Sequence, residues 1–383
     1  MSAQSFERTT FLHSLAAASV PAVPRRCKLP ARVTAAVALL LAAIGTPALA
    51  ATSAVVLEYH HVSADGPEST SVDPDTFEAH MNYLATHDFH VWPLPKLVSR
   101  IRAGEDVPDR TVAITFDDAY RSVYTEAFPR LRARGWPFTV FVSPGYIDGD
   151  YSHYVSWDQL RTMARHGASI GNHSLHHPHL VHQRRDETRE QWLGRVRHEI
   201  AGAQQRLEAE ITQPAHLLAY PFGEFSPPVQ DIARDLGLTA FGQQSGAFGP
   251  ESDFTALPRY PIATAFASLD SFALKVHSRP LPVASTDPAS GMLGPDARVP
   301  ELRLTLAKGP YRPRTIRCYM GGEPIDVSLD DGNPPVLHVR ATQPIGPGRT
   351  KYNCTAPSTD SGSWFWYSFL WMKPRADGSW YQG

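Results

Sequence analysis

The chain has 383 residues, of which 42% are hydrophobic and 19% are charged. This composition supports a sizeable buried core and excludes a broadly disordered protein. Thirty-six basic residues against 38 acidic ones give a formal charge of −2. Because nucleic-acid binding requires a clustered basic surface, the balance argues against a nucleic-acid partner.

The first fifty residues differ from the rest and predict an export signal. Four basic residues between positions 25 and 32 precede the apolar run 33–44, and Ala48-Leu49-Ala50 provides a cleavage site. The apolar run is shorter than the about 20 residues that a membrane span needs. We therefore expect residues 1–50 to be a signal peptide and the mature protein, without a stable membrane span, to lie in the periplasm or outside the cell. An uncleaved anchor is the alternative.

Two cysteines remain in the predicted mature chain, Cys318 and Cys354. An even number of cysteines in an exported protein predicts one disulfide. The alternative is a pair of free buried thiols.

From residue 54 to about 265, short apolar runs alternate with helix-patterned stretches. Helices are predicted after Asp73 and near 122–134, 157–166, 187–209 and 227–236. The predicted strands are Ala54–Tyr59, Thr111–Phe116, Phe138–Val142, Ser169–Asn172, His216–Tyr220 and Leu238–Phe241. This alternation implies a parallel sheet with covering helices, and at this length a β/α barrel. In such barrels function lies at the C-terminal ends of the strands.

After about residue 280 the pattern changes to that of an all-β domain. A Pro- and Gly-rich stretch, 282–300, suggests a linker, and four strands are predicted after it: Glu301–Leu306, Thr315–Met320, Val336–Arg340 and Trp364–Trp371. The predicted organisation is a leader (1–50), an α/β domain (51–275), a linker (276–300) and a small β-rich accessory domain (301–383). The last strand is crowded with aromatic residues, which we interpret as core-forming; a sugar-stacking platform is the alternative.

Polar side chains follow three of the predicted strands. Asp117-Asp118 comes directly after the strand 111–116, where two adjacent carboxylates are either solvated or placed beside a cation. One of them could bind a metal while the other takes a proton from water. His173-Ser174-Leu175-His176-His177-Pro178 follows a second strand, and imidazole is a common ligand of zinc and related metals. Tyr220-Pro221-Phe222-Gly223 follows a third and could wall a groove.

These motifs, T-F-D-D, H-S-x-x-H-P and P-F-G in this order, resemble the polysaccharide deacetylase family, also called the NodB-homology or carbohydrate esterase family 4 enzymes. The opening segment 56–61, V-L-E-Y-H-H, is similar to the first strand of the members that act on poly-β-1,6-N-acetylglucosamine. The resemblance covers roughly residues 54–265 and implies an α/β fold, a distorted (β/α)7-type barrel, in this chain followed by the small C-terminal all-β domain.

The resemblance also implies roles for individual residues. Asp117 is the expected general base, and Asp118, His173 and His177 are the expected ligands of a divalent metal. Zinc is the first choice for this metal, and cobalt, nickel and iron(II) are also compatible. Ser174 and the segment Tyr220, Pro221, Phe222 and Gly223 are expected to orient the site and bind substrate.

Three departures from the family pattern are visible. Ala119 replaces a common glycine, and Tyr220 stands where an arginine often orients the base. A Leu-x-His motif carrying the general acid is not found near the end of the barrel, where Leu257-Pro258-Arg259 stands. His60, His61 and His176 are the open candidates for the proton donor.

The predicted function is metal-dependent hydrolysis of N-acetyl groups on an N-acetylglucosamine-containing polysaccharide. Two alternatives remain: an O-acetyl esterase of the xylan type on the same fold, and a non-catalytic carbohydrate-binding matrix protein. The polysaccharide is the expected partner, and the sequence gives no indication of the oligomeric state.

Overall fold

The computed structural model describes residues 50–360 and 362–382, so the predicted leader, residues 1–50, lies outside the described residues apart from Ala50. Within this part of the chain, no helix is both long and apolar enough to cross a bilayer. The helices are α1 (Pro74–Thr86), α2 (Leu94–Arg102), α3 (Phe128–Ala133), α4 (Pro144–Asp148), α5 (Trp157–Arg165), α6 (Arg189–Glu210), α7 (Pro227–Asp235) and α8 (Leu269–Val276).

The strands of the N-terminal part are β1 (Ala50–Ala51), β2 (Ala54–Tyr59), β3 (His61–Val62), β4 (Ser71–Val72), β5 (His90–Val91), β6 (Val107–Pro108), β7 (Thr111–Phe116), β8 (Phe138–Val142), β9 (Ala168–Asn172), β10 (Leu217–Ala219), β11 (Thr239–Phe241), β12 (Ala247–Phe248) and β13 (Tyr260–Pro261). Those of the C-terminal part are β14 (Ser278–Pro280), β15 (Val283–Asp287), β16 (Glu301–Leu306), β17 (Arg317–Met320), β18 (Glu323–Asp330), β19 (Val336–Arg340), β20 (Gly348–Pro357) and β21 (Trp364–Lys373).

The larger sheet has nine strands and a largely parallel order. Its main path runs β11-β10-β9-β8-β7-β2-β12, while β13 pairs with β2 and β5 pairs with β7. Only β12 pairs in the antiparallel direction among the strands described for this sheet. Strands β2 and β7 are buried along their whole length, as expected for a sheet covered on both faces. The C-terminal ends of β7 to β10 therefore lie along one edge.

Local sequence explains where the covering helices begin. The Asp73 carboxylate accepts hydrogen bonds from the backbone amides of Asp75 and Thr76 at the start of α1. Ser156 and Thr188 each form a capping box with the glutamine three residues on, at the starts of α5 and α6. Such caps satisfy amides that have no partner inside the helix.

The C-terminal sheet has eight strands in the order β14-β21-β20-β17-β18-β19-β16-β15. The stretch predicted as a linker, 276–300, contributes two of them: β14 pairs with β21, and β15 pairs with β16. Cys318 and Cys354 form the predicted disulfide, which joins the neighbouring strands β17 and β20. The domain boundaries themselves stay predictions.

The aromatic strand β21 packs mainly into the protein. Phe365, Phe369 and Trp371 belong to the hydrophobic core of the C-terminal sheet, and Trp366 packs edge-on against Tyr260 of the larger sheet. Trp364 is the most exposed large aromatic residue of this strand. These contacts agree with the core-forming interpretation.

The predicted fold class is confirmed in its coarser form, a mixed α/β domain with a curled sheet followed by a C-terminal sheet domain. The described pairings do not reproduce a seven-stranded barrel. The sheet contains nine strands, and β11 and β12 lie at opposite ends of its main path. The difference arises because the short strands β5, β12 and β13, two residues each, carry too little periodicity to be read from sequence.

Candidate active site

The sheet brings the three polar motifs to one edge. Asp117 follows β7, His173 follows β9, and the 220–223 turn follows β10. The Asp117 amide donates to the carbonyl of Tyr59, and the His173 amide donates to the carbonyl of Val142. Both motifs are thus fixed to neighbouring strand ends by backbone hydrogen bonds.

Asp118, His173 and His177 converge around one carboxylate oxygen. Oδ1 of Asp118 lies 3.3 Å from Nε2 of His173 and 3.4 Å from Nε2 of His177. The Nδ1 atom of His173 lies 2.8 Å from the carbonyl oxygen of Ala219, so Nδ1 carries the proton and Nε2 presents a lone pair. This Nε2 atom is buried, and among the described residues it has no hydrogen-bond partner.

These features fit a bound divalent cation. Two imidazole nitrogens and one carboxylate oxygen form a ligand set typical of catalytic zinc, which keeps a further position open. The backbone carbonyl on Nδ1 of His173 is the kind of outer contact that fixes the tautomer of a ligating histidine. The predicted ligands are therefore brought together; their role as ligands stays a prediction.

The backbone of the site is held in an uncommon conformation. Asp118, Ala119, Ser174, His177 and Phe222 all have positive φ, between 54° and 66°. Such residues cost free energy and persist only where surrounding contacts determine them, typically at functional sites. The value at Ala119 also explains why a glycine suits this position, because glycine adopts positive φ without steric cost.

Asp117 is bound by an arginine that the sequence did not assign. Nη1 and Nη2 of Arg259 donate to the two carboxylate oxygens of Asp117 at 2.6 and 2.7 Å. Both side chains are fully buried. Nε of Arg259 donates to the carbonyl of Gly242 at 3.0 Å, and Nη1 also reaches the Thr115 hydroxyl. Arg259 thus supplies the orienting arginine that Tyr220 does not.

A second carboxyl group, that of Glu58, lies beside this pair. Oε2 of Glu58 is 3.6 Å from Nη2 of Arg259, and Oε1 is 3.8 Å from Nε2 of His60. Glu58 is fully buried, and its carboxyl oxygens have no hydrogen-bond partner within the described residues. Burial raises the pKa of Glu58, which favours its neutral form.

The electrostatics of the other residues follow from the same geometry. Burial raises the pKa of Asp117, but the Arg259 guanidinium, together with His173 and His60, holds it below the ordinary value. Burial lowers the pKa of His177 to about 4, so the ring is neutral near pH 7 and can act as a ligand. Burial also lowers the pKa of His173, yet Asp117 and Asp118 outweigh it and raise the net value. The two carboxylates therefore create a negative electrostatic potential at the His173 ring, which favours a positive charge there.

The residues predicted to bind substrate are mostly buried, and their role stays a prediction. Tyr220 is fully buried, and its hydroxyl donates to the carbonyl of Thr255 at 2.8 Å. Ser174 is also fully buried; its hydroxyl accepts a hydrogen bond from the His177 amide at 3.0 Å. Pro221 and Gly223 are buried as well, which leaves Phe222 as the partly exposed side chain of the motif. The Ser174 hydroxyl thus contacts the loop that contains His177, and its orienting role stays a prediction.

The three candidate proton donors lie in different surroundings. His61 stacks on Tyr120 with ring centroids 3.6 Å apart. His176 is largely exposed and its Nδ1 lies 3.0 Å from a carboxylate oxygen of Glu199. His60 forms a close group with Glu58 and Asp117. Of the three, His60 is the one grouped with the expected base.

Comparison with known proteins identifies the class of the domain. Residues 104–241 match the family model for polysaccharide deacetylase. The resemblance that the motifs predicted is therefore confirmed: residues 104–241 are similar to the polysaccharide deacetylases, a family of hydrolases that act on amide bonds.

Individual relatives cover about half of the chain. It is 28% identical over 210 residues to YxkH of Bacillus subtilis, an alignment that spans 54% of this chain and 71% of YxkH. It is 21% identical over 257 residues to poly-beta-1,6-N-acetyl-D-glucosamine N-deacetylase of Escherichia coli, spanning 58% of this chain and 38% of that protein. The deacetylase PplD of Streptococcus pyogenes shares the fold, with a TM-score of 0.53 and 20% identity over 58% of this chain and 98% of PplD.

Proposed function

We propose that this protein removes N-acetyl groups from a β-1,6-linked N-acetylglucosamine polymer, with a divalent metal ion held by Asp118, His173 and His177. The observation that carries the proposal is the convergence of two imidazole nitrogens on one Asp118 oxygen, with Asp117 as the adjacent residue. The proposed linkage is the one in the name of the Escherichia coli relative, and the alignment spans 38% of that protein.

The chemistry divides between the cation and the protein. A bound divalent cation would lower the pKa of a water molecule and polarise the acetamide carbonyl. Asp117 accepts the proton of the attacking water as general base. Arg259 keeps this carboxylate ionised and fixes its orientation through two hydrogen bonds. The base is thus available at neutral pH in one defined geometry.

The leaving amine requires a proton, and we assign the donor to His60. Its imidazole lies within the group formed with Glu58 and Asp117. The Glu58 carboxyl lies 3.8 Å from Nε2 of His60, beyond hydrogen-bond distance. His61 contacts Tyr120 and His176 contacts Glu199, and among the described residues neither belongs to the group that contains Asp117.

The reaction is proposed to take place outside the cytoplasm. Two features support this location: the predicted leader, 1–50, and the disulfide between Cys318 and Cys354. Disulfides persist in oxidising compartments and are rare in the cytosol.

The test is acetate release by the purified protein from β-1,6- and β-1,4-linked N-acetylglucosamine oligomers and from acetylxylan. Each substrate is assayed after dialysis against a chelator and after return of zinc, cobalt, nickel or iron(II). We expect chelator-sensitive release from the β-1,6-linked oligomers. Release from acetylxylan alone would replace the proposal with an O-acetyl esterase, and retention of full activity without metal would refute the ligand assignment.

An Asp117→Asn variant tests the base. General base catalysis contributes about 10²–10⁴-fold, so turnover should fall by at least about 100-fold. The same variant should retain the metal, measured as bound metal per chain after dialysis, because Asp117 is not among the proposed ligands. Turnover within about threefold of the unmodified protein would contradict the assignment.

A further inference from the structure

Phe222, the aromatic residue of the Pro-Phe-Gly motif, is held from several sides. Its ring stacks on His179 with centroids 3.7 Å apart and an interplanar angle of 7°. The ring of His177, a proposed metal ligand, lies 4.5 Å away. The Arg349 guanidinium lies 5.4 Å from the ring centroid. Phe222 is therefore positioned against the metal site by residues from two separate parts of the chain.

The buried carboxylate of Glu224 connects these residues. One of its oxygens lies 2.8 Å from Nδ1 of His179, and the other accepts a hydrogen bond from the Tyr381 hydroxyl at 2.7 Å. Nε of Arg349 lies 3.6 Å from the second oxygen. A fully buried carboxylate needs such partners, because an unpaired charge is strongly disfavoured in the interior. Nε2 of His182 also lies 3.6 Å from the first oxygen, so two of the four partners come from the C-terminal part of the chain.

Strand β20 also contacts the loops at the active-site edge directly. Nη1 of Arg349 donates to the carbonyl of Phe222 at 2.6 Å, and Nζ of Lys351 donates to the carbonyl of Gln243 at 2.6 Å. Because side chains alternate along a strand, these two cations share one face, opposite the buried Tyr352 and Cys354. The C-terminal sheet thus presents two donors to two neighbouring loops of the deacetylase domain.

The geometry around Glu224 favours a hydrogen-bonded cluster over a second metal site. His179, His182 and Glu224 offer ligand atoms close together, but the two imidazole rings are stacked, with centroids 4.2 Å apart and 8° between their planes. Since nitrogen lone pairs lie in the ring plane, two parallel rings do not direct them at one ion. His182 in turn stacks on Trp380 at 4.5 Å.

We infer that the C-terminal sheet and the segment 380–381 are positioning elements of the deacetylase site: Tyr381 and Arg349 act through Glu224 and His179 to hold Phe222 against His177. This inference rests on the proposed function for its kinetic consequence. It assigns the accessory domain a role inside the active site in addition to any contact with polymer.

The test compares two hydroxyl deletions in tyrosines of the C-terminal part. Tyr381→Phe removes the donor to Glu224. Tyr352→Phe, the matched control, removes a hydroxyl that donates to the Pro300 carbonyl and accepts from the Ala341 amide, within the C-terminal part. We expect Tyr381→Phe to lower kcat about fivefold with little change in KM, because misplacement near the reacting groups affects turnover more than binding. Tyr352→Phe should leave both constants unchanged.

Hydrogen exchange provides the readout that does not depend on turnover. The amides of Gly223 and Glu224 are bonded within the turn, to the carbonyls of Tyr220 and Pro221. Exchange in the peptide 220–224 should be faster in Tyr381→Phe than in the unmodified protein and unchanged in Tyr352→Phe. Equal exchange in the two variants, or equal loss of kcat, would overturn the inference, because neither outcome would depend on the hydrogen bond from Tyr381 to Glu224.

Arg349 supplies a second, independent test. Arg349→Met removes both the charge beside Glu224 and the donor to Phe222, whereas Arg349→Lys retains the charge and one donor. We expect the lysine variant to recover part of the kcat lost in the methionine variant, and identical losses would contradict the inference. Calorimetric titration with zinc should give one equivalent per chain. A second equivalent that disappears in His182→Gln would show a metal site and overturn the interpretation of the cluster.

Failure of the proposed function is distinguishable from failure of this inference. If the unmodified protein releases no acetate from any tested substrate, the proposed function fails. The exchange comparison then still decides whether Tyr381 holds the 220–224 turn.

Discussion

Replacement of Arg259 by methionine is the most informative perturbation of the site. The guanidinium forms two short hydrogen bonds with Asp117, and both groups are fully buried. Breaking a buried ion pair by removing one partner costs about 3–5 kcal/mol, because the remaining charge is uncompensated. Arg259→Met should therefore lower the free energy of unfolding by about this amount, measured by urea denaturation.

The same substitution should move the pH dependence of catalysis. At present Arg259, together with His173 and His60, offsets burial and holds the pKa of Asp117 below its ordinary value. Without the guanidinium, burial dominates and the pKa rises, by up to about 3–5 units for an isolated buried carboxyl. A cation held by Asp118 would offset part of this rise, so we expect about one to two pH units. Because only the ionised carboxylate accepts the proton, the acidic limb of the kcat/KM profile moves to higher pH.

Acetate release measured between pH 5 and pH 10 tests this reasoning. Arg259→Lys, which retains the positive charge, should keep the acidic limb near its original position. Asp117→Asn should cost less stability than Arg259→Met, because the guanidinium retains Glu58 at 3.6 Å. Arg259→Met combined with Asp117→Asn should recover most of the lost stability. An acidic limb that does not move in Arg259→Met would refute the role assigned to the ion pair.

Three further predictions follow from described contacts. His60→Gln should lower kcat by about 100-fold or more, as expected for loss of a general acid. A larger loss in His61→Gln would identify His61 as the proton donor instead. Replacing Cys318 and Cys354 with serine should reduce the free energy of unfolding by about 4 kcal/mol in urea, and a reducing agent should have the same effect on the unmodified protein. Tyr220→Phe removes a buried donor to Thr255 and should cost about 1–2 kcal/mol of stability while kcat/KM stays unchanged; a kinetic loss would restore a substrate-contact role.

The sequence predicted the parts of the site that depend on local order along the chain. Three strands, 54–59, 111–116 and 138–142, have the predicted bounds, because continuous apolar runs between turn signals identify buried parallel strands. Polar residues that directly follow β7 and β9 of this parallel sheet reach the same edge, so Asp118, His173 and His177 could be placed together. These side chains converge because β7 and β9 run parallel in one sheet and end at the same edge.

Contacts between distant segments could not be predicted in the same way. Arg259 lies 142 residues from Asp117, and the pairing arises from the course of the chain between β12 and β13. The visible signal was only the position of Leu257-Pro258-Arg259 where a Leu-x-His motif was expected. Glu224 and Tyr381 are 157 residues apart, and neither stands in a pattern that indicates burial. Strand β20 was missed because its alternating residues are mostly polar.

The late position of Arg259 has a consequence for synthesis of the protein. A chain that has emerged only as far as residue 241, where the family match ends, already contains Asp117, Asp118, His173 and His177. In that intermediate the Asp117 carboxylate has no guanidinium beside it, and burying it in ionised form is unfavourable. Asp117 can therefore be buried in its ionised form only after the segment containing Arg259 has been translated. Ionisation of Asp117, the proposed base, thereby becomes coupled to completion of the domain, and a nascent chain halted before residue 259 should fold without a competent base.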